Sequence, residues 1–156
     1  LNNEMDDFSA KPGVPNAYGL IGGDANAVEP GKRPLSSMSP TIVLKDGKPF
    51  LVTGSPGGSR IITTTLQLIS NMIDHGMNVA EATNASRIHH QWLPDEIRIE
   101  DGGLSRDTVA ALEAKGHTIA VGTVMGSTQS IHVDAEKGLL LGASDPRRTG
   151  SATVGY

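Results

Sequence analysis

The sequence predicts an α+β protein in which helices pack on an antiparallel or mixed sheet. Short apolar runs joined by tight turns indicate paired strands, as on either side of Lys45-Asp46-Gly47-Lys48. Between these runs lie segments whose apolar residues recur at steps of three and four, which is typical of helices with one buried face. Strand pairs with intervening helices therefore favour a layered α+β architecture.

Length and composition exclude several classes of protein. The chain has 156 residues, the size of one domain, and we interpret residues 1–156 as such. Thirteen basic and seventeen acidic residues give a net charge of −4, which argues against a nucleic-acid-binding protein with its basic face. No apolar stretch approaches the roughly 20 residues that span a bilayer. Because the chain has no cysteine, it has no disulfide, catalytic thiol or thiolate metal site.

Residues 1–40 are predicted to form a loop, because they are rich in Gly, Pro, Asn, Asp and Ser and show no periodicity. The segment Asn2–Phe8 carries three carboxylates beside an aromatic ring. The segment Pro34–Pro40 holds Ser36 and Ser37 between two prolines, which stiffen it. Such a long loop is usually either functional or disordered. A solvated acidic loop and an ordinary extended linker are the alternatives for the two segments.

The stretch Leu51–Met72 contains an apolar run, a glycine turn and the start of a helix expected over Arg60–Asp74. Gly57 and Gly58 permit positive φ and a close approach to a ligand, and the first amides of the helix point outward as free donors. These features predict a site for a carboxylate or an oxyanion. The alternative is a turn that binds nothing, since glycine turns of this kind are common. The spacings of a phosphate-binding loop and of a dinucleotide site are absent.

The remaining elements follow from periodicity and from turn residues. We expect the helix to bury the stripe formed by Ile62, Leu66, Ile69 and Ile73, and Ser59 to cap its first turn. The other predicted elements are strands over Thr41–Leu44 and Phe50–Val52, a helix from Asn78 to Ala85 opened by a capping box with Glu81, a strand over Ile97–Glu100, a helix over Arg106–Lys115 capped by Ser105, and strands over His117–Val121, Ser130–Val133 and Leu139–Leu141.

Two polar clusters are interpreted as structural. His89 and His90 are adjacent, so in an extended segment they point to opposite faces and are poor ligands for one metal ion. The segment Asp145–Arg148 is interpreted as a turn with a solvated pair of arginines. The Gly-x-Ser-x-Gly pattern of a hydrolase nucleophile does not occur. The sequence therefore predicts no metal site and no serine triad.

Several motifs, in the same order, resemble those of the γ-glutamyltranspeptidases, and in particular the small subunit of the bacterial enzymes. The resemblance spans nearly the whole chain and is weakly diagnostic only between Glu100 and Met125 and over the last few residues. The segments that carry it are Leu1–Phe8, Lys32–Pro40, Gly54–Ser59, Asn84–Arg87, His89–Pro94 and Gly142–Arg147.

The resemblance implies an N-terminal-nucleophile hydrolase with an αββα sandwich that is only partly represented in this chain. In that family a precursor cleaves itself, and the new N-terminal threonine of the small subunit attacks γ-glutamyl amides such as glutathione. The acyl group then passes to water or to an acceptor amino acid, and no cofactor takes part. The resemblance also implies a large subunit from the same precursor as partner, and a periplasmic or secreted location.

The resemblance assigns the two charged groups on the α-carbon of the γ-glutamyl group to particular side chains. Glu4 and Asp7 would hold its α-ammonium, and Ser36 and Ser37 would hold its α-carboxylate. These roles agree with the chemistry of the residues, since carboxylates complement an ammonium and hydroxyls complement a carboxylate.

The resemblance also assigns the oxyanion hole, which the backbone amides of Gly57 and Gly58 would form. The nucleophilic threonine of the family lies upstream of the Leu-Asn-Asn motif, and no residue of this chain is expected to replace it. We therefore expect a partial small subunit that is inactive alone, with residues 1–40 as pocket-forming loops and residues 41–156 as sheet and helices. Its missing strands would leave a sheet edge open to dimerisation or aggregation.

Two other functions remain open. A related cephalosporin acylase or poly-γ-glutamate depolymerase would keep the fold and change the acyl group, although Glu4 and Asp7 favour an α-amino acid. The other is a non-catalytic module that binds a small amino acid or a partner chain. Substrates with and without an α-amino group separate the first from a γ-glutamyl enzyme, and micromolar binding without turnover would indicate the second.

Overall fold

The computed structural model describes residues 4–155, which form two sheets, three helices and a long N-terminal loop. The strands are β1 (Thr41–Lys45), β2 (Lys48–Gly54), β3 (Ile88–His89), β4 (Ile97–Glu100), β5 (Ile119–Gly122), β6 (Gln129–Asp134) and β7 (Leu139–Ser144). The helices are α1 (Arg60–Ile73), α2 (Val79–Asn84) and α3 (Arg106–Ala114), and the loop contains the 3₁₀ turns Met5–Asp7 and Asp24–Asn26. The predicted α+β class is confirmed. The Leu-Asn-Asn motif, residues 1–3, lies outside the described residues.

The larger sheet is antiparallel, with the strand order β1-β2-β6-β7. The turn between β1 and β2 uses Asp46 and Gly47, whose φ values are 52° and 75°. Positive φ at both positions is the hairpin geometry that the Asp-Gly pair predicts. β2 leads directly into the glycine turn at the start of α1, so this sheet positions the candidate anion site.

The smaller sheet has the order β3-β4-β5. β3 and β4 are antiparallel, whereas β4 and β5 are parallel and are connected through α3. A parallel pair needs a crossover of this kind, because its strands cannot be joined by a tight turn. This sheet brings His89 and the residues that follow it to the N-terminal end of α1, where they contact Ser59 and Thr63.

The main core lies between the larger sheet and the helices α1 and α2. At its centre are Leu51 from β2 and Leu68 from α1, which are 0% and 1% exposed. Met72, Val79, Ala82 and Ala143 complete the cluster. Burying a leucine side chain fully contributes roughly 1.5–3 kcal/mol, so this cluster is what fixes α1 on the sheet.

The prediction of which face of α1 is buried is wrong. Ile62, Leu66 and Ile73 are 53%, 62% and 54% exposed, and Ile69 packs only at the edge of the core. The buried residues are Ile61, Thr64, Thr65, Leu68 and Met72. The helix carries two stripes at helical spacing, offset by about one residue, and periodicity alone does not say which of them meets the sheet.

The face of the larger sheet that lies opposite α1 is apolar and exposed. Ile42, Val52 and Ile131 are direct cross-strand neighbours on β1, β2 and β6, and each of them is exposed. Leu140 on β7 is exposed as well. An exposed apolar sheet face is one that a further layer of structure would bury. None of the helices within residues 4–155 combines the length and the hydrophobicity that a membrane crossing requires.

The helix caps follow the predictions in part. Asn78 and Glu81 form the predicted capping box, in which each side chain accepts the other residue's backbone amide at 2.9 Å. Ser59 does not cap α1, because its hydroxyl donates to Gln91 instead. Ser105 occupies the cap position of α3, but its hydroxyl bonds to a neighbouring threonine hydroxyl rather than to the backbone.

Candidate functional site

A groove of about 490 Å³ lies beside the first 3₁₀ turn, and both Glu4 and Ser36 line it. The family resemblance assigns these two residues to the α-ammonium and the α-carboxylate of one substrate, and the fold brings them together. Arg33 also lines the groove and was not singled out from the sequence. The remaining lining is largely apolar: Met5, Phe8, Pro34 and Met38. The groove thus combines a carboxylate, a hydroxyl and a guanidinium with an apolar wall.

Glu4 and Asp7 are held together by the turn between them. The Asp7 amide donates to the Glu4 carbonyl at 3.1 Å, which closes the turn that brings the two residues together. Hydrogen bonding with Asp7, burial and the negative charge of Asp7 all raise the pKa of Glu4. Two adjacent carboxylates repel each other, so a bound cation stabilises them. Asp7 does not line the groove itself but precedes the lining residue Phe8.

Ser36 and Ser37 lie on the other segment of the groove. The Met38 amide donates to Ser36 Oγ at 3.2 Å, so the Ser36 hydroxyl keeps its own proton for a ligand. Ser39 Oγ donates to the Ser37 carbonyl at 3.1 Å, which fixes the adjacent backbone. Ser37 is half-buried and lies between two lining residues, Ser36 and Met38. The segment therefore presents the Ser36 hydroxyl to the groove, a donor of the kind an anion requires.

Asn26 connects the two segments. Its Nδ2 donates to the Asp7 carbonyl at 2.6 Å, and its Oδ1 accepts from the Leu35 amide at 3.0 Å. Its backbone carbonyl accepts from the Ser9 amide at 2.9 Å. Nothing in the local sequence marks Asn26, because its side-chain partners are 19 and 9 residues away.

The glycine turn lies at the start of α1, and neither glycine lines the groove. Gly57 and Gly58 have φ values of 145° and 57°, conformations that side-chain-bearing residues rarely adopt. The amides of Arg60 and Ile61 donate to the carbonyls of these glycines. Within residues 4–155 the amides of the glycines themselves donate to no acceptor. The free donors of the turn are therefore the two glycine amides. The prediction that the first amides of the helix are free is wrong for Arg60 and Ile61, whose amides are taken up by the turn.

Tyr18 covers this turn. A Cβ atom at Gly58 would overlap the Tyr18 ring, so the ring lies directly against the glycine backbone. The Arg60 guanidinium lies 5.7 Å from the ring centroid, within the range of a cation–π contact. Residues 16–20 form the Tyr18 loop, in which Asn16 Oδ1 accepts from the amides of Tyr18 at 2.9 Å and Leu20 at 3.0 Å.

Gln91 ties the Tyr18 loop to the glycine turn. Its Oε1 accepts from Ser59 Oγ at 2.8 Å, next to the two glycines. Its Nε2 donates to the carbonyls of Tyr18 at 2.8 Å and Leu93 at 3.0 Å. Nothing in the local sequence marks Gln91, because Ser59 and Tyr18 are 32 and 73 residues away along the chain.

His89 and His90 point to opposite sides, as predicted, since His89 is buried while His90 is exposed beside Asp95. Burial lowers the pKa of His89, so its ring is neutral near neutral pH. Its Nε2 then donates to Gln91 Oε1 and its Nδ1 accepts from the Thr63 hydroxyl, both at 2.8 Å. In the part of the chain that the structure describes, no three side chains gather as metal ligands would.

Replacing Gln91 with glutamate is expected to loosen the Tyr18 loop. Glutamate keeps the acceptor for Ser59 but loses the donor to the Tyr18 carbonyl, at a cost of about 0.5–1.5 kcal/mol per bond. Amide hydrogen exchange across residues 16–20 should therefore quicken by about tenfold. Gln129→Glu is the control, because Gln129 is exposed and its side chain makes one long hydrogen bond of 3.4 Å. Unchanged exchange in the Gln91 variant would contradict this role for Gln91.

The prediction of a solvated arginine pair at Asp145–Arg148 is wrong for Arg147. Its side chain is 8% exposed and bonds to Glu100 through two nitrogens, each at 2.7 Å. Two backbone carbonyls accept further N–H groups at 2.8 and 2.9 Å, and Asp145 Oδ1 accepts another at 3.3 Å. Arg148 is exposed, as expected. Glu100 is 47 residues away, so the local sequence gives no sign of this partner.

Comparison with known proteins shows the same family along the whole chain. The family model described as gamma-glutamyltranspeptidase matches residues 1–155. The glutathione hydrolase proenzyme of Escherichia coli (strain K12) is 70% identical over 156 residues. The match covers 100% of this chain but 27% of that relative, so the chain spans about a quarter of its length.

Similar solved structures belong to the same family. The structure of the Helicobacter pylori γ-glutamyltranspeptidase T380A mutant has a TM-score of 0.89 at 61% identity, with 95% of this chain and 81% of that chain covered. The γ-glutamyltranspeptidase of Pseudomonas nitroreducens, solved with L-DON, has a TM-score of 0.88 at 48% identity, with 100% and 81% covered. The fold is therefore that of the N-terminal-nucleophile hydrolases, and the chain belongs to the γ-glutamyltranspeptidase family.

Proposed function

We propose that this chain binds the γ-glutamyl group in an enzyme that hydrolyses and transfers γ-glutamyl amides such as glutathione. The observation that carries the proposal is the groove, which places Glu4 and Ser36 in one lining. A γ-glutamyl group presents an ammonium and a carboxylate on a single carbon, so its site needs carboxylates and hydroxyls close together. Glu4 with Asp7 and Ser36 with Ser37 supply both kinds of group.

The chemistry we propose is acyl transfer through a covalent intermediate. A threonine at the N-terminus of the mature small subunit, outside the 156 residues, attacks the γ-carbonyl carbon and expels the amine. The free amides of Gly57 and Gly58 donate to the oxyanion that forms on the carbonyl oxygen. Water or an acceptor amino acid then attacks the acyl-enzyme and releases glutamate or a new γ-glutamyl amide.

A large subunit from the same precursor is the proposed partner. Its support is the exposed apolar face of the larger sheet, which includes Ile42, Val52 and Ile131, together with the share of the E. coli relative that this chain covers. The relatives are described as proenzymes, in keeping with a precursor that is cleaved. An apolar sheet face this exposed favours association with another layer.

The function is tested with the full-length proenzyme and a γ-glutamyl anilide that releases a chromophore. We expect steady release by the matured proenzyme and none by the 156-residue chain. A proenzyme that matures but leaves the anilide intact would point to a related acylase or depolymerase. Micromolar binding of glutamate by the isolated chain, without turnover by the proenzyme, would instead favour an amino-acid-binding module.

Replacing Asp7 with alanine is expected to raise KM for the γ-glutamyl anilide by about ten- to a hundredfold, with a smaller change in kcat. The reason is that the substrate ammonium loses one of two carboxylates in both the ground state and the transition state. Steady-state kinetics of the mature proenzyme measure the effect. Asp74→Ala is the control, since Asp74 is an exposed carboxylate at the far end of α1. An unchanged KM would remove Asp7 from the ammonium site.

The same variant changes the pH dependence. The pKa of Glu4 is raised, first by hydrogen bonding with Asp7, so Glu4 takes up a proton as pH falls sooner than an isolated glutamate does. Protonated Glu4 attracts an ammonium less, and kcat/KM should therefore fall on the acid side through that raised pKa. In Asp7→Ala both effects of Asp7 on this pKa are absent and only the effect of burial remains, so this acid limb should move to lower pH. A glutaryl anilide has no ammonium and should lack the limb.

A further inference from the structure

We propose that Asn26 is a positioning residue that sets the spacing between the ammonium-binding and carboxylate-binding halves of the groove. It thereby makes the enzyme selective for acyl groups with an α-amino group. The proposal rests on the proposed function. The bonds that carry it are those from Asn26 Nδ2 to the Asp7 carbonyl and from the Leu35 amide to Asn26 Oδ1.

The two halves lie on separate irregular segments. Asp7 ends a short 3₁₀ turn, and Ser36 follows Leu35 in a stretch without helix or strand. Within the described part of the chain, neither segment has a ladder of backbone hydrogen bonds to hold it in register with the other. Among the side-chain hydrogen bonds of residues 4–155, those of Asn26 are the ones that join these two segments.

The spacing matters because the ammonium and the carboxylate of the substrate are bonded to one carbon. A shift of about 1 Å between the two halves prevents both from contacting the substrate at once, and errors of that size cost large factors in rate or binding. Asn26 is half-buried and bonds to the segments through both ends of one rigid amide. Its backbone is fixed as well, since its carbonyl accepts the Ser9 amide.

Replacing Asn26 with aspartate distinguishes the contributions of its two side-chain hydrogen bonds. Asn26→Asp keeps an oxygen that accepts the Leu35 amide, so the carboxylate-binding half stays attached. It replaces the donor to the Asp7 carbonyl with an oxygen that repels it, so the ammonium-binding half is released. Asn26→Ala removes both bonds. The two variants are therefore expected to change KM differently for substrates with and without the α-amino group.

The experiment uses the full-length proenzyme with a γ-glutamyl anilide and a glutaryl anilide, which lacks the α-amino group. For Asn26→Asp we expect KM for the γ-glutamyl anilide to rise about tenfold and KM for the glutaryl anilide to stay within about twofold. For Asn26→Ala we expect KM to rise for both substrates. Asn84→Asp is the matched control, because the exposed Asn84 also donates from Nδ2 to a backbone carbonyl, that of Ala80 at 2.8 Å.

The outcomes separate this proposal from the proposed function. If the wild-type proenzyme shows no preference for the γ-glutamyl anilide, the proposed function fails and this proposal with it. If the wild type shows the preference and Asn26→Asp retains it, Asn26 does not set the spacing. Equal losses on both substrates in Asn26→Asp, with a lowered Tm, would show a merely structural residue and overturn the proposal. Asn26→Ser, which keeps a short polar side chain, provides a second variant if the aspartate variant folds poorly.

Discussion

Replacing Arg147 with alanine is expected to lower the free energy of unfolding by about 3–5 kcal/mol, the cost typical of removing one partner from a buried ion pair. The Arg147 guanidinium is bidentate to Glu100, which is buried. Asp145, a second buried carboxylate, also contacts Arg147 and pairs with Arg87. Without Arg147, the Glu100 carboxylate loses its cation while it stays away from water.

Thermal unfolding of the full-length proenzyme measures this effect as a lowered Tm. Arg148→Ala is the control, because Arg148 is the exposed neighbour with the same side chain. Arg147→Lys should give an intermediate loss, since lysine keeps the charge but cannot form the bidentate contact. A Tm that falls equally in the Arg147 and Arg148 alanine variants would contradict the buried pair.

The same ion pairs predict how stability depends on pH. Burial alone would raise the pKa of Glu100, but hydrogen bonds from Arg147 and from the Met125 and Arg87 amides outweigh burial and lower it. The pKa of Asp145 is lowered in the same way, against its burial. A depressed pKa stabilises the fold above the ordinary pKa of the carboxyl, and that stability is lost as pH falls towards the depressed value. The loss of unfolding free energy caused by Arg147→Ala should therefore be smaller at acid pH than at neutral pH.

Replacing Gly58 with alanine is expected to lower kcat for the γ-glutamyl anilide by about a hundredfold or more. The residue adopts a φ of 57°, and a Cβ atom there would overlap the Tyr18 ring. Either the turn or the Tyr18 loop must move, and in the proposed mechanism the moved amide no longer meets the oxyanion. Because the interaction is made chiefly in the transition state, kcat and kcat/KM should fall together.

Gly138→Ala controls for backbone strain. Gly138 lies in the turn between β6 and β7 with a φ of 65°, close to that of Gly58, but a Cβ atom there meets nothing within 4 Å. Both variants place alanine in the left-handed region, at similar conformational cost. Equal activity in the two variants would contradict the expected loss of the oxyanion contact in Gly58→Ala.

The sequence predicted those features whose determinants lie within a few residues of one another. The turn at Asp46 and Gly47 has the predicted positive φ at both positions. The capping box of Asn78 and Glu81 forms as its spacing predicts. The helix after the glycine turn begins at Arg60, as expected. In each case one or two adjacent side chains decide the local backbone, so no distant contact is needed.

Features that depend on distant partners were missed. The stripe of α1 that is buried depends on where Leu51 and the rest of the sheet lie, and periodicity left two stripes to choose from. Arg147 looked solvated because its partner Glu100 is 47 residues away. Asn26 and Gln91 are ordinary amides until the fold brings their partners to them. The roles of Glu4, Asp7, Ser36 and Ser37 rest on the family resemblance together with the groove, and they stay predictions.

A crystal structure of the mature proenzyme with bound glutamate tests the account most directly. We expect the glutamate ammonium within hydrogen-bond distance of the carboxylates of Glu4 and Asp7, and the α-carboxylate at the hydroxyls of Ser36 and Ser37. The γ-carboxylate should face the amides of Gly57 and Gly58 beneath Tyr18. Glutamate bound outside the groove, or with its γ-carboxylate away from the glycine turn, would contradict the assignment of these residues to a γ-glutamyl site.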